Sequence, residues 1–145
     1  MIDWILRQID ELKRRLAHLE RIEQPRWVML TTPLTSTSFD GDPFSTTAAT
    51  VIDLSAVFSV PASVKAVLVR LEARDSGAAA LGPYLSVGPS ATYYYQLVCH
   101  SHGADIKSSV SSPVTCDANG DIYYRIVATG AGTLDTWIEI SGYLI

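Results

Sequence analysis

The first 22 residues carry a narrow stripe of apolar side chains that a single chain cannot cover by itself. When Ile2 is placed at position a of a heptad, apolar residues occupy every a and d position for about three heptads: Ile2, Ile5, Ile9, Leu12, Leu16 and Leu19. Such a stripe is typical of a coiled coil, in which identical helices cover one another. A helix packed on its own domain usually has a wider apolar face. That alternative stays open because Leu6 and Ile22 widen the stripe.

Two features of this segment favour three helices over two. Ile2 and Ile5 place β-branched residues at both a and d. The segment from Arg15 to Glu20 has Arg at g, Leu at a and d, and Glu at e, and it resembles the short trimerisation motif of three-stranded coiled coils. The stem of Arg15 can lie over the seam while its guanidinium pairs with Glu20 of the next chain. A helix of about 33 Å is marginal alone, so the rest of the chain must also hold the trimer.

The composition of the chain limits the kinds of partner that it can bind. Only 18% of the 145 residues are charged and 48% are apolar, which favours burial of surface between subunits. Residues 1–26 hold six Lys/Arg and five Asp/Glu, whereas the remainder holds five and ten. An acidic head argues against nucleic-acid binding, which needs a clustered basic face. The sequence starts without the apolar stretch of a signal peptide and has no spanning segment, so we expect neither export by a signal nor membrane insertion.

A second domain is predicted after the helix. Pro25 ends the helix, which divides the chain into a stalk over residues 1–24 and a head over residues 25–145. Eight strands are predicted in the head, near 27–34, 48–54, 63–73, 84–87, 92–100, 107–114, 122–128 and 136–145. A polar loop is predicted at Asp40–Pro43. Many short strands with Gly/Pro turns predict a mainly β protein whose head is an antiparallel β-sandwich of jelly-roll type.

His100 and His102 are the candidate metal ligands. Residues i and i+2 of a strand point to the same face, so a threefold axis would bring six imidazoles together. Six nitrogen ligands suit a transition metal. The alternative is a pair of solvated histidines at the end of a strand. We otherwise expect no cofactor.

Three further groups have both a functional and a structural interpretation. The segment Asp117–Asp121 has the alternating oxygen ligands of a calcium loop but lacks its closing Glu, and a tight Asn-Gly turn is the favoured interpretation. The aromatic residues Tyr93–Tyr95, Tyr123–Tyr124 and Trp137 suit either a glycan-binding surface or the core. Cys99 and Cys116 are predicted to be small buried hydrophobes, and a disulfide is possible only if their strands are neighbours.

Catalytic motifs are missing from the sequence. It contains no Gly-x-Ser-x-Gly elbow, no His-Glu-x-x-His and no phosphate-binding loop. Paired carboxylates for glycoside cleavage are set by folding and stay open. We therefore expect a protein that is not an enzyme.

The order of a short coiled coil and a Thr/Ser/Gly-rich β head resembles the fibre and receptor-binding proteins of tailed phages and phage-derived particles. The stretches that carry the resemblance are the stalk through Glu20 and the segment Phe58–Val69, where a proline turn precedes a buried strand. The resemblance implies a non-enzymatic structural homotrimer on the surface of a virion or phage-like particle, with its head on a cell-surface glycan or protein. In such trimeric fibres a His-x-His pair holds iron on the axis. The alternative function is a decoration or assembly subunit that cements or polymerises without its own receptor.

Overall fold

The chain is mainly β, with antiparallel sheets and one long N-terminal helix. A computed structural model describes residues 2–22, 24–77, 82–103 and 105–145, without the side chains of residues 20–22. The helices are α1 (Ile2–Ile22) and α2 (Leu54–Phe58), with a short 3-10 turn at Thr37–Phe39. The strands are β1 (Trp27–Leu34), β2 (Asp40–Phe44), β3 (Thr50–Ile52), β4 (Ala66–Asp75), β5 (Tyr84–Gly88), β6 (Leu97–His100), β7 (Ser108–Thr115), β8 (Ile122–Val127) and β9 (Leu134–Leu144).

Two antiparallel sheets form a β-sandwich-like head. In the first sheet the order is β1-β9-β4-β7, and β2 pairs with β9 as well. In the second sheet the order is β3-β8-β5-β6. The long pairing of β4 with β9, from Ala66 opposite Leu144 to Asp75 opposite Leu134, is the centre of the first sheet.

The core lies between the two sheets and is drawn entirely from the head. On β4 the predicted alternation is confirmed, because four side chains of one face are fully buried: Val67, Val69, Leu71 and Ala73. β9 alternates in the same way from Leu134 to Ile140. The buried cluster extends from Phe39 to Ile140, and no residue of α1 whose side chain is described belongs to it. The head therefore encloses its own apolar side chains without help from the helix.

Three segments differ from the sequence prediction, and the first is the strand predicted near 92–100, of which only β6 (Leu97–His100) is a strand. The loop predicted at Asp40–Pro43 is the strand β2, in which Gly41 adopts φ 103° beside the Trp137 ring. The strand predicted at 48–54 is shorter, since the chain turns into α2 after Ile52. Asp53 caps that helix by accepting a hydrogen bond from the backbone N–H of Ala56 at 2.9 Å.

The strands run between two ends of the head. At the stalk end, backbone bonds join Arg26 and Ile145 in both directions at 2.9 and 3.1 Å. At the far end, loops rich in Ser, Thr and Gly meet, and Ala128 and Thr46 exchange hydrogen bonds of 3.0 and 3.3 Å. Among the described helices, none is long and apolar enough to cross a membrane.

Candidate functional site

The apolar stripe of α1 is exposed along its whole described length. The a-position side chains Ile2, Ile9 and Leu16 have 74%, 41% and 58% of their surface exposed. The d-position side chains are equally open, at 46% for Ile5, 64% for Leu12 and 58% for Leu19. Every described side chain from Ile2 to Leu19 is exposed. For these described side chains, the packing on the chain's own sheets that the sequence left open is not observed.

Charged residues of α1 pair along the helix. Arg15 donates to Glu11 at 3.1 Å, and Arg14 reaches the same carboxylate at 4.0 Å. These i,i+3 and i,i+4 pairs support the helix by a few tenths of a kcal/mol each. The predicted partner of Arg15 is Glu20 of a neighbouring chain, and the side chain of Glu20 lies outside the described residues.

The two candidate metal ligands point outward from the end of β6. His100 and His102 are exposed, and Ser101 between them is fully buried and donates its backbone N–H to Pro83 at 3.0 Å. This is the i,i+2 geometry that the sequence predicts. Within one chain, the described part contains no group of three or more possible ligands. A site completed by symmetry from two imidazoles per chain stays a prediction.

The acidic segment Asp117–Asp121 forms a turn. The Asp117 carboxylate accepts the backbone N–H groups of Asn119 and Asp121 at 2.8 and 3.0 Å. Asp121 accepts from the backbone N–H of Leu54 at 3.1 Å. Gly120 has φ 90° and its Cα faces the Ser63 backbone, which leaves no room for a Cβ. The carboxylates therefore hold the turn, as the favoured interpretation predicts.

The outer face of the second sheet carries few charges. Directly paired residues share a face of a sheet, and the registers place nine residues on this outer face: Val51, Tyr123, Gly88, Arg125, Ser86, Val98, Val127, Tyr84 and His100. Arg125 is the one residue of this set with a fixed charge. Its guanidinium lies 5.2 Å from the centre of the Tyr94 ring and donates to the Tyr94 hydroxyl. In the described part of the chain its Nε has no hydrogen-bond partner.

The tyrosine segment lies over this face. Tyr93 and Tyr95 are 46% and 55% exposed and form an edge-to-face pair with ring centres 4.9 Å apart. Tyr94 is half-buried against Arg125. Tyr124 points the other way, into the core, where it meets Phe39 edge-on at 5.1 Å. The aromatic set is thus divided between surface and core, as both interpretations of the sequence allow.

The outer face of the first sheet is a network of ion pairs at its far end. Glu72 pairs with Arg70 at 2.5 Å and with Lys107, while Glu139 lies 3.5 Å from Arg70. Trp137 is half-buried beneath this network, with Lys107 Nζ 3.9 Å from the ring centre. This ring is enclosed, so it is not a free platform for a sugar.

An apolar cleft opens between the edges of the two sheets, and the sequence analysis did not identify it. It has a volume of about 240 Å³ and is lined mainly by Phe39, Phe44, Val51, Val57 and Tyr124. Its walls come from β2, β3, α2 and β8, which are distant in sequence. No local pattern indicates such a cleft, because it depends on how the two sheets are stacked.

Both cysteines are free thiols in the head. Cys99 is fully buried and Cys116 is half-buried against the core. Burial raises the pKa of Cys99 to about 11 and that of Cys116 to about 12. The interpretation as small buried hydrophobes is confirmed for Cys99, and the possible disulfide is not formed.

No protein-family model matches this chain, and no curated protein is significantly similar to it. The function must therefore be argued from the chain's own surfaces.

Proposed function

We propose that this chain is a non-enzymatic homotrimeric fibre or receptor-binding protein, with α1 as a coiled-coil stalk and the sandwich as its head. The observation that carries the proposal is the exposure of every a and d side chain described on α1. Six large apolar side chains in one line are costly to leave in water, at about 25 cal/mol per Å². Two further copies of the same helix would cover them, as the heptad positions require.

The strand order supports a jelly roll as the head fold. Apart from β1, successive strands alternate between the sheets, except that β5 and β6 are neighbours in the second sheet. With β1 left out, four strands remain in each sheet, β2-β9-β4-β7 and β3-β8-β5-β6, and eight strands in two sheets favour a double-sheet jelly roll.

The stalk joins one end of the head, and this position supports a head whose opposite end faces away from the stalk. The stalk joins the head at the end where Arg26 pairs with Ile145. The far-end loops are therefore free to meet a partner while the stalk holds three heads together. The tyrosine segment lies on the outer face of the second sheet, where Gln96 reaches Thr115 at the stalk end. We propose a cell-surface glycan or protein as that partner, at the surface of a phage or phage-like particle.

The oligomeric mass tests the proposal most directly. Light scattering coupled to size exclusion should give three times the chain mass of 15.8 kDa. A mass of one chain at micromolar concentration would refute the trimer and with it the fibre. Glycan-array binding by the trimer, compared with a Tyr95→Ala trimer, then tests the head as the recognition element.

One observation favours a second function. The outer face of the second sheet carries a single fixed charge, at Arg125, and depletion of charged residues is typical of the core of a protein–protein interface. A decoration or assembly subunit that cements a particle would use such a face. Co-purification with particles and no binding to any glycan would favour this alternative over the receptor-binding head.

We propose separately that the histidine pair binds a metal. His100 and His102 would together supply two imidazoles per chain to a transition metal on the threefold axis. Elemental analysis of the purified trimer should then show one metal per three chains, and a His100→Ala, His102→Ala variant should lose it. The stalk-based trimer does not depend on this result.

A further inference from the structure

The outer face of the first sheet is apolar in the half that lies next to the stalk. Trp27 is opposite Leu144 on β9, and Met29 is opposite Gly142. On the other side of β9, Leu68 is opposite Gly142. We name the four apolar side chains of this surface the collar: Trp27, Met29, Leu68 and Leu144. The first two are well exposed, at 43% and 63%.

The same face changes its chemistry along the strands. Toward the far end, each outward position of β4 is charged, at Arg70, Glu72 and Arg74, and these side chains are joined in ion pairs. The collar contains no charged side chain. If the whole face were exposed to solvent, we would expect charged side chains along its whole length. The change from charged to apolar residues therefore indicates that the two halves have different surroundings.

Gly142 allows the collar to form a continuous surface. A Cβ at this position would lie 3.1 Å from the Met29 sulfur and 2.9 Å from the Val28 carbonyl oxygen. Because Gly142 has no side chain, Met29 can lie flat over the strand. The apolar surface therefore extends from β1 across β9 to Leu68 on β4.

The collar is tied closely to the stalk. Trp27 is five residues after Ile22, the last residue of α1, so the two Cα atoms are at most about 18 Å apart. Helices at interaxial distances of about 8–10 Å lie within about 6 Å of a threefold axis. Three stalks in contact would therefore bring three collars close together, at an effective concentration on the order of millimolar.

We propose that the collar is the contact between the heads, and that its occupant is a second copy of this chain. This inference rests on the proposed trimer and names the part of the head that completes it. The apolar seam of the stalk then continues into the first strand of the head. The charged half of the face, the far-end loops and the outer face of the second sheet with His100 stay outside the contact. The collar and an axial metal held by His100 and His102 therefore exclude each other.

Cysteine cross-linking tests the collar in the full chain. A Met29→Cys variant treated with a short bis-maleimide at pH 7 should yield covalent dimers. The matched control is Val51→Cys, which is similarly exposed at 48% but lies on the second sheet, and it should stay monomeric on a denaturing gel. The native thiols should contribute little to cross-linking, because burial raises the pKa of Cys99 to about 11 and that of Cys116 to about 12.

A second variant tests the energetics without a new thiol. Replacing both Trp27 and Met29 by Ser should raise the trimer dissociation constant at least tenfold, while Val51→Ser leaves it unchanged. Circular dichroism checks the fold, which should persist because neither side chain belongs to the core.

The results separate the two levels of the argument. A trimeric wild type with cross-linking at residue 29 and not at residue 51 supports the collar. A trimeric wild type in which residue 51 cross-links, or residue 29 does not, overturns the collar but leaves the proposed trimer intact. A monomeric wild type overturns both.

Discussion

Replacing Leu16 by Ala should weaken the proposed trimer strongly and leave the head unchanged. Leu16 occupies an a position and is 58% exposed in the single chain. The substitution removes three carbons, worth about 2.4 kcal/mol if fully buried from water. Scaled by the exposed fraction, the loss is about 1.4 kcal/mol per chain and about 4 kcal/mol per trimer.

This loss corresponds to a rise of about a thousandfold in the trimer dissociation constant. Helix propensity does not confuse the result, because Ala is a better helix former than Leu. Sedimentation equilibrium over a range of concentrations measures the change. The melting of the head, followed by near-ultraviolet circular dichroism at a concentration where wild type is trimeric, should shift only as far as trimer dissociation itself requires.

Trp4 provides the matched control for this prediction. It lies at heptad position c, away from the a/d line, and is 66% exposed. Trp4→Ala removes more apolar surface than Leu16→Ala does, yet it should leave the trimer intact. If the two variants weaken association equally, the effect comes from general hydrophobicity and the heptad argument is wrong. If Leu16→Ala has no effect at all, the stripe is not a subunit interface.

Three predictions concern the head, each with its own measurement. Glu72→Ala should lower the free energy of unfolding in urea by about 2 kcal/mol, because the Glu72 carboxylate is nearly buried and pairs with two cations. Glu139→Ala should lower it by less than about 1 kcal/mol, because Glu139 is more exposed and lies farther from its partner. Equal effects of the two variants would contradict the ion-pair network. Gly41→Ala should destabilise the head and change its tryptophan fluorescence, because a Cβ there would lie 2.4 Å from the indole ring and φ is 103°. Gly132→Ala meets open space at φ 67°, in the left-handed region, and should cost only about 1–2 kcal/mol with no spectral change. The raised pKa of Cys99 means that the folded state favours the neutral thiol. The stabilisation from the neutral thiol is complete below the unfolded pKa of 9.0 and is lost as pH rises toward about 11. Cys99→Ala should therefore reduce the fall of the urea midpoint between pH 9 and 11, and an unchanged slope would exclude the Cys99 thiol as the cause of that fall.

The elements that could be predicted from the sequence are those with a strong local pattern. β1 has the bounds that the sequence predicts, Trp27 and Leu34. The alternation on β4 could be predicted because apolar and charged residues alternate from Val69 to Arg74. The heptad helix also ends close to the expected boundary, before Pro25.

The elements that could not be predicted depend on distant partners. Asp40–Phe44 has the composition of a loop, yet it forms β2 because the edge of β9 offers it a partner at Trp137. Gly41 makes this possible, since only a residue without a Cβ fits against that ring. The five residues of α2 are too few for a helical period to be recognised. The packing of Arg125 on Tyr94 joins residues 31 positions apart, which no local pattern indicates.

The head buries many of its large apolar side chains, whereas the helix leaves its own exposed, and this difference bears on the order of folding and assembly. The head buries its core within one chain, from Phe39 to Ile140, so it can fold before it associates. The stripe on α1 has no cover among the residues that the structure describes, and an isolated helix of this length is marginally stable in water. Stalk formation should therefore be coupled to trimer formation. Helical content should fall on dilution while the β signal persists, and a helix signal independent of concentration would show that α1 is stable without partners.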